Sequence, residues 1–322
     1  MKLKPLGATG LMVSELGFGA LAIGGNQHGN SYGSTSDSES IKAIEIALDR
    51  GCNFFDTADV YGHGHSEALL GKALKCNGKL NDVIIATKGG CDFHSEPVTQ
   101  NFEPEYLVKA VDASLRRLGR GHVDLFQLHN PPISILRRDI VFETLERLKR
   151  QGKIRHLGMS IHSVDEGVSC IASGRVESLQ VVYNLLCQIE PETSSEALLP
   201  HVFTSGIGMI AREPLANGFL AGTQRVGTIY EEGDMRAEWS VDARRARIAL
   251  CECFRQLERS GFTMAQIALR FVLDEPVVST AIVGIKTPAQ AAEDFAAPEL
   301  PSFADLYELP NFSEAATAGA LV

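Results

Sequence analysis

With 322 residues, 44% of them hydrophobic and 22% charged, the chain has the composition of an ordinary globular protein that can bury a core. Its 30 basic and 40 acidic residues give a net charge of −10, and no basic run is longer than a pair such as Arg116-Arg117. Nucleic acid and anionic membrane are therefore excluded as expected partners, because the electrostatic footprint they need is missing. No window reaches the roughly 18 apolar residues of a membrane span, the first eleven residues hold no signal-peptide run, and the seven cysteines show no metal spacing. These features predict a soluble, cytoplasmic protein without a metal centre.

In chain order, short apolar runs occur at 16–19, 53–56, 83–87, 123–128, 156–159, 179–182, 208–211 and 280–282, each followed by a segment of helical character. The clearest helix runs over 104–118, where Leu107, Val108, Val111, Leu115 and Leu118 share one face. Another is predicted over 37–50, opened by a Ser36/Glu39 capping box and closed before Gly51. Eight strand–helix units without a break in composition predict a single-domain (β/α)8 barrel over 1–309, with 310–322 as a C-terminal tail. An open, doubly wound sheet is the alternative, but no Gly-x-Gly-x-x-Gly follows the first strand. The polar, glycine-rich stretches 26–35 and 217–239 are expected as substrate loops on the carboxyl-terminal rim.

Barrel chemistry sits at the carboxyl ends of the strands. Three successive runs end in an ionisable group there: Asp56, with Tyr61 just beyond it, then Lys88, then His129. Taken alone, each has an ordinary explanation as a helix cap, a solvated lysine or a hydrogen-bonded structural histidine. Together they form a proton-donating set. A tyrosine is a poor acid near neutrality unless a cation favours its phenolate, and Lys88 is expected to supply that cation. Asp56 is expected to keep the lysine charged, and His129 to orient a substrate oxygen.

The ordered motifs Gly17-Phe18-Gly19, Asp56-x4-Tyr61-Gly62, Ala86-Thr87-Lys88, Gln127-Leu128-His129, Gly158-x-Ser160, Pro214-Leu215 and Thr287-Pro288-x-Gln290 resemble the aldo-keto reductase superfamily over nearly the whole chain. The resemblance implies a carbonyl reductase acting on an aldehyde or ketone, with Tyr61 as general acid, Lys88 and Asp56 tuning it, and His129 positioning the carbonyl. It also implies NADPH, with NADH as the second candidate. Ser160 and Gln180 would hold the carboxamide, with Ile161 standing where relatives have Asn. Arg212 takes the place of an aromatic on the nicotinamide, and Leu215, Asn217 and Gly218 belong to the pyrophosphate loop. Gly19, Gly284, Lys286, Gln290 and Asp294 complete the set, Lys286 facing the 2′-phosphate. Two other readings follow from the same resemblance: an NAD(P)-dependent sugar or alcohol dehydrogenase, and a cofactor-sensing regulatory subunit with little turnover. The partner is a small carbonyl or alcohol substrate, and the number of copies per assembly is left open. Trp239 is expected either over the substrate or as a loop anchor.

Overall fold

A computed structural model describes residues 1–28, 31–95, 97–189 and 194–306. The predicted tail 310–322 lies outside the described residues. Eight parallel strands form a closed barrel: β1 (Leu16–Gly19), β2 (Phe54–Asp56), β3 (Ile84–Gly89), β4 (Val123–His129), β5 (Ile154–Ser160), β6 (Ser178–Val182), β7 (Gly208–Arg212) and β8 (Val278–Gly284). They pair in chain order, and β8 closes on β1 through Ala281↔Leu16 to Gly284↔Gly19. The described residues thus form the single (β/α)8 domain expected from the sequence.

Helices α1 (Asp37–Asp49), α2 (His65–Cys76), α3 (Pro104–Leu118), α4 (Asp139–Arg150), α5 (Val164–Ser173) and α6 (Leu199–Ser205) follow β1 to β6. After β7 come α7 (Val241–Glu252) and α8 (Met264–Asp274), and after β8 comes α9 (Pro288–Asp294). Helix α3 has the predicted bounds, with Leu107, Val111, Leu115 and Leu118 buried. Helix α1 also begins where expected, but the capping box is not made. Ser36 is the N-cap without a capping bond, because its Oγ lies 2.9 Å from Ser38 Oγ, and Gly51 does follow the helix end. True capping boxes occur instead at Ser163/Glu166, Thr263/Gln266 and Thr287/Gln290.

Strand alternation divides the barrel interior into two levels. Near the amino-terminal end, Phe54, Ala86, Leu125, Ile210 and Ile282 form an apolar plug. An antiparallel hairpin, Leu3–Pro5 paired with Met12–Ser14, covers this end and adds Leu6 and Val13 to the plug. Two residues further along their strands, Asp56, Lys88 and Gln127 meet in the same lumen, and His129 lies two residues beyond Gln127. The barrel therefore changes from apolar to polar over one strand repeat, at the depth where its chemistry begins.

Candidate active site

Each of the four predicted residues reaches the mouth by a separate local device. Asp56 ends β2, and Lys88 lies one residue before the end of β3. Tyr61 follows β2 in a tight turn in which Gly62, His63 and Gly64 all have left-handed backbones (φ 58°, 50° and 94°). Gly62 has a specific reason to be glycine: a Cβ there would collide with the Gly24 carbonyl. His129 ends β4, and its ring meets that of Tyr61 edge-on with centroids 5.8 Å apart.

The structure brings these four together as a chain of hydrogen bonds. Lys88, 1% exposed, donates from Nζ to Asp56 Oδ1, to the Thr57 carbonyl at 3.1 Å and to Tyr61 Oη at 3.2 Å. The second Asp56 oxygen accepts from Gln127 Nε2 at 3.0 Å and from Gln180 Nε2 at 2.8 Å. The carboxylate thus accepts from three donors, one on Oδ1 and two on Oδ2. Burial acts to lower the Lys88 pKa, but the Asp56 charge and the hydrogen bonds to Asp56 and Tyr61 outweigh it and raise the ammonium pKa.

One expectation is corrected. Lys88 does favour the Tyr61 phenolate, yet burial acts more strongly in the other direction, so the phenol pKa lies above its ordinary value of 10.0 rather than below it. Tyr61 therefore holds its proton throughout the physiological range. His129 is held neutral: burial, then the Lys88 and Arg212 cations, push its pKa well below 6.5. Its Nδ1 is buried without a hydrogen-bond partner.

The other predicted residues surround this chain. Ser160, buried at the end of β5, is in register with His129. Ile161 is buried, and its carbonyl accepts from Arg212 Nη2 at 3.3 Å. Gln180, expected at the carboxamide, is engaged with Asp56 and lies 3.2 Å from Gln127 Oε1. Arg212 ends β7; it pairs with Glu213 and reaches His162 Nδ1 at 3.0 Å, while its Nε is buried without a partner.

Leu215, Asn217 and Gly218 form a tight turn in which Leu215 O accepts from Gly218 N at 2.9 Å. Left-handed backbones at Glu213, Ala216 and Asn217 mark this turn as strained, as at many ligand-binding turns. Gly19 and Gly284 face each other where β1 meets β8, and a Cβ on Gly284 would meet nothing within 4 Å. Gln290 accepts from Lys286 N at 2.9 Å, so its side chain serves as a helix cap here. Asp294 is buried, which raises its carboxyl pKa well above 3.8.

Several contributors have no counterpart in the sequence reading. Gln127 belonged to a recognised motif but had no role, although its parity with His129 on β4 was a usable signal. Tyr32 and Arg236 join the two rim loops: Asn217 donates to Tyr32 Oη at 2.8 Å, Lys286 Nζ to the Tyr32 carbonyl at 2.7 Å, and Ser34 N to Glu231 at 2.8 Å. Arg236 lies over both the Tyr32 and Tyr230 rings. Trp239 stacks on Phe219 at 5.5 Å in the outer cluster and so anchors its loop. All seven cysteines are free, and among the described residues no group of three or more His, Cys, Asp or Glu could hold a metal ion. Likewise among the described residues, no helix is long and apolar enough to cross a membrane.

The fold and this mouth define a barrel with a buried proton-donor chain at the carboxyl ends of its strands. The chain belongs to the aldo/keto reductase family, whose model matches residues 20–305. It is 30% identical to the aldo-keto reductase YhdN of Bacillus subtilis (strain 168) over 295 residues, 90% of this chain and 86% of that one. It is also 30% identical to L-galactose dehydrogenase of Arabidopsis thaliana over 301 residues, 92% and 88% of the two chains. Among solved structures, an aldo-keto reductase from Bacillus halodurans in its holo form superposes with a TM-score of 0.76 at 28% identity, covering 96% of this chain and 97% of that one. The protein is thus an oxidoreductase by family.

The mouth fits a nicotinamide dinucleotide. Buried, unpartnered polar atoms on His129 and Arg212 leave hydrogen bonds for a ligand to complete, and the open space at Gly284 leaves room at the end of β8.

Proposed function

We propose that the protein reduces an aldehyde or ketone to the alcohol with NADPH, Tyr61 giving the proton to the carbonyl oxygen. The observation that carries this reading is the Asp56–Lys88–Tyr61 chain ending beside a neutral His129. Bound at this mouth, the dinucleotide would supply the hydride; the remaining chemistry belongs to the protein.

Lys88 donates to Tyr61 Oη, so the phenol proton is free to point away from the lysine, toward a substrate oxygen. A carbonyl oxygen is a weak base and takes that proton only as negative charge develops on it. The raised pKa holds the proton until then, and the Lys88 ammonium stabilises the phenolate left behind. Neutral His129 can donate one hydrogen bond to the same oxygen without placing a competing cation there. The same raised pKa leaves little phenolate to act as base near neutrality, so oxidation of an alcohol at this site would speed up as pH rises.

Lys286 supports NADPH over NADH. It is the cation at the start of the segment after β8, and its Nζ is presently held by the Tyr32 and Ser34 carbonyls rather than by a carboxylate. The free thiols support a reducing, cytoplasmic setting.

Tyr61→Phe tests the assignment. Turnover of NADPH with a broad carbonyl panel should fall by about 10²–10⁴-fold, while NADPH affinity stays within a few-fold of wild type. An equal loss of turnover and of binding refutes the general-acid role.

A further inference from the structure

A hydride donor must come within about 3–3.5 Å of the carbon it attacks. That carbon carries the oxygen held by Tyr61 and His129, so any reacting nicotinamide lies against these two residues. What charge does the protein place there? Lys88 is a cation paired with Asp56 and bonded to Tyr61, and His129 is neutral. Arg212 is the second cation that acts on both Tyr61 and His129.

Arg212 faces the mouth from the end of β7, with a side chain 15% exposed against 27% for its partner Glu213. The pair is oriented. The guanidinium acts on Tyr61 and His129, lowering the pKa of both, while the Glu213 carboxylate acts on Tyr32. Both ends reach His162, where the arginine is the stronger. The geometry agrees for the positive end: the Ile161 carbonyl that holds the guanidinium follows Ser160, which is in register with His129. Bonds from Nη2 to the Ile161 carbonyl and to His162 Nδ1 fix it there. Asn at position 161 would leave that carbonyl available too, so Ile161 is not the cause of this placement.

We propose that Arg212 sets the redox balance of the bound cofactor. It would favour the reduced dinucleotide, whose nicotinamide is neutral, over the oxidised one, whose ring carries a positive charge, and so keep the free site filled with reduced cofactor and speed the loss of spent cofactor, while making the bound couple a somewhat weaker hydride donor. The inference rests on the reading that this mouth binds a nicotinamide dinucleotide. An uncharged aromatic in the same place would attract the cationic ring through its π face instead, so the residue at 212 changes the sign of the discrimination. A tenfold ratio of affinities corresponds to about 30 mV for a two-electron couple.

The test is equilibrium binding of NADPH and of NADP+, each titrated separately into the ligand-free full-length protein at fixed ionic strength, followed by tryptophan quenching or calorimetry. The quantity compared is the ratio of the two dissociation constants, oxidised over reduced. Arg212→Gln removes the charge and should lower that ratio about tenfold, the scale expected of one partly screened charge at close range. Arg212→Lys keeps the charge and should hold the ratio within about threefold of wild type on the same scale. Glu213→Gln removes the screening partner and should raise the ratio. A purely structural role for Arg212 would weaken both forms alike and leave the ratio unmoved, and that result overturns the proposal. Should Arg212→Gln not fold, Glu213→Gln still decides: an unchanged or lowered ratio overturns it. If wild type binds neither dinucleotide, the underlying cofactor reading fails instead, which distinguishes the two.

Discussion

Asp56→Asn is a nearly isosteric change with a large expected cost. The carboxylate accepts from Lys88 on one oxygen and from Gln127 and Gln180 on the other. An amide has a single acceptor oxygen. Turned toward Lys88, it sets its NH2 against two glutamine donors; turned toward the glutamines, it faces the ammonium with a donor. Either way at least one buried donor loses its partner, and Lys88, 1% exposed, loses its counter-charge. Removing one partner of a buried pair typically costs about 3–5 kcal/mol. With an unfolding entropy near 2.1 cal/mol/K per residue, that corresponds to a fall in Tm of about 4–8 °C for a chain of this size. The deficit must also depend on pH. In wild type the Lys88 pKa is raised above 10.5, so its contribution is fully present below that pH and is lost as pH rises through the folded value. In the variant, burial is no longer opposed by the aspartate, so the folded pKa falls below 10.5; stability is then retained above 10.5 and lost as pH falls through the lowered value. The gap between the two proteins should therefore be widest near neutrality and close toward pH 10.5. Thermal unfolding followed by circular dichroism from pH 7 to 10.5 checks both points. A variant within 1 °C of wild type at pH 7, or a gap independent of pH, would show that the aspartate is not what keeps Lys88 charged.

Two further outcomes follow from the loop that carries Tyr61. Asp59 is buried, neither carboxylate oxygen has a hydrogen-bond partner, and burial followed by repulsion from Glu67 raises its pKa well above 3.8. Its favourable contribution is present below pH 3.8 and is lost as pH rises through the folded value. Asp59→Asn should thus be more stable than wild type, with an advantage that widens as pH rises above 3.8, by up to about 1.4 kcal/mol per pH unit; a gap that narrows with rising pH in urea unfolding would contradict the buried-charge reading. Gly62→Ala forces a side chain into a left-handed backbone (φ 58°) and against Gly24. The strain is about 1–2 kcal/mol before any clash, and because Gly62 adjoins Tyr61, kcat should fall by more than stability does; the comparison is between steady-state kinetics and thermal unfolding of the same preparation.

Each barrel strand was legible in the sequence because each is a short apolar run between turn residues, and the four ionisable groups were legible because they end such runs. The amino-terminal hairpin was not. Its strands are three residues each and one contains Pro5, too short for an alternation to register. The Ser36/Glu39 spacing was right for a capping box, but spacing does not say that a nearer hydroxyl, Ser38, will take the bond. Nor does it say how far burial will outweigh a neighbouring cation, which is why the direction of the Tyr61 shift was misread. The clasp between the rim loops joins residues about 200 positions apart, such as Ser31 and Asp234, and neither side has a local pattern that calls for the other.

The Gln180 amide shows how the polar level of the barrel limits what the mouth can bind. The side chain has two N–H donors and one carbonyl acceptor. Its nitrogen is committed to Asp56 at 2.8 Å and to Gln127 Oε1 at 3.2 Å, so what it retains for a ligand is the oxygen. A carboxamide arriving here can be met by Gln180 only through the ligand's own NH2, while Ile161 offers no side-chain donor for the carboxamide oxygen. The donors left nearby are the Ser160 hydroxyl and Arg212, which again puts the guanidinium beside the ring. One arginine would then both hold the carboxamide and bear its charge on the nicotinamide. On this basis Arg212→Lys, which keeps the charge but loses the planar fork, should weaken both cofactor forms while leaving their ratio in place.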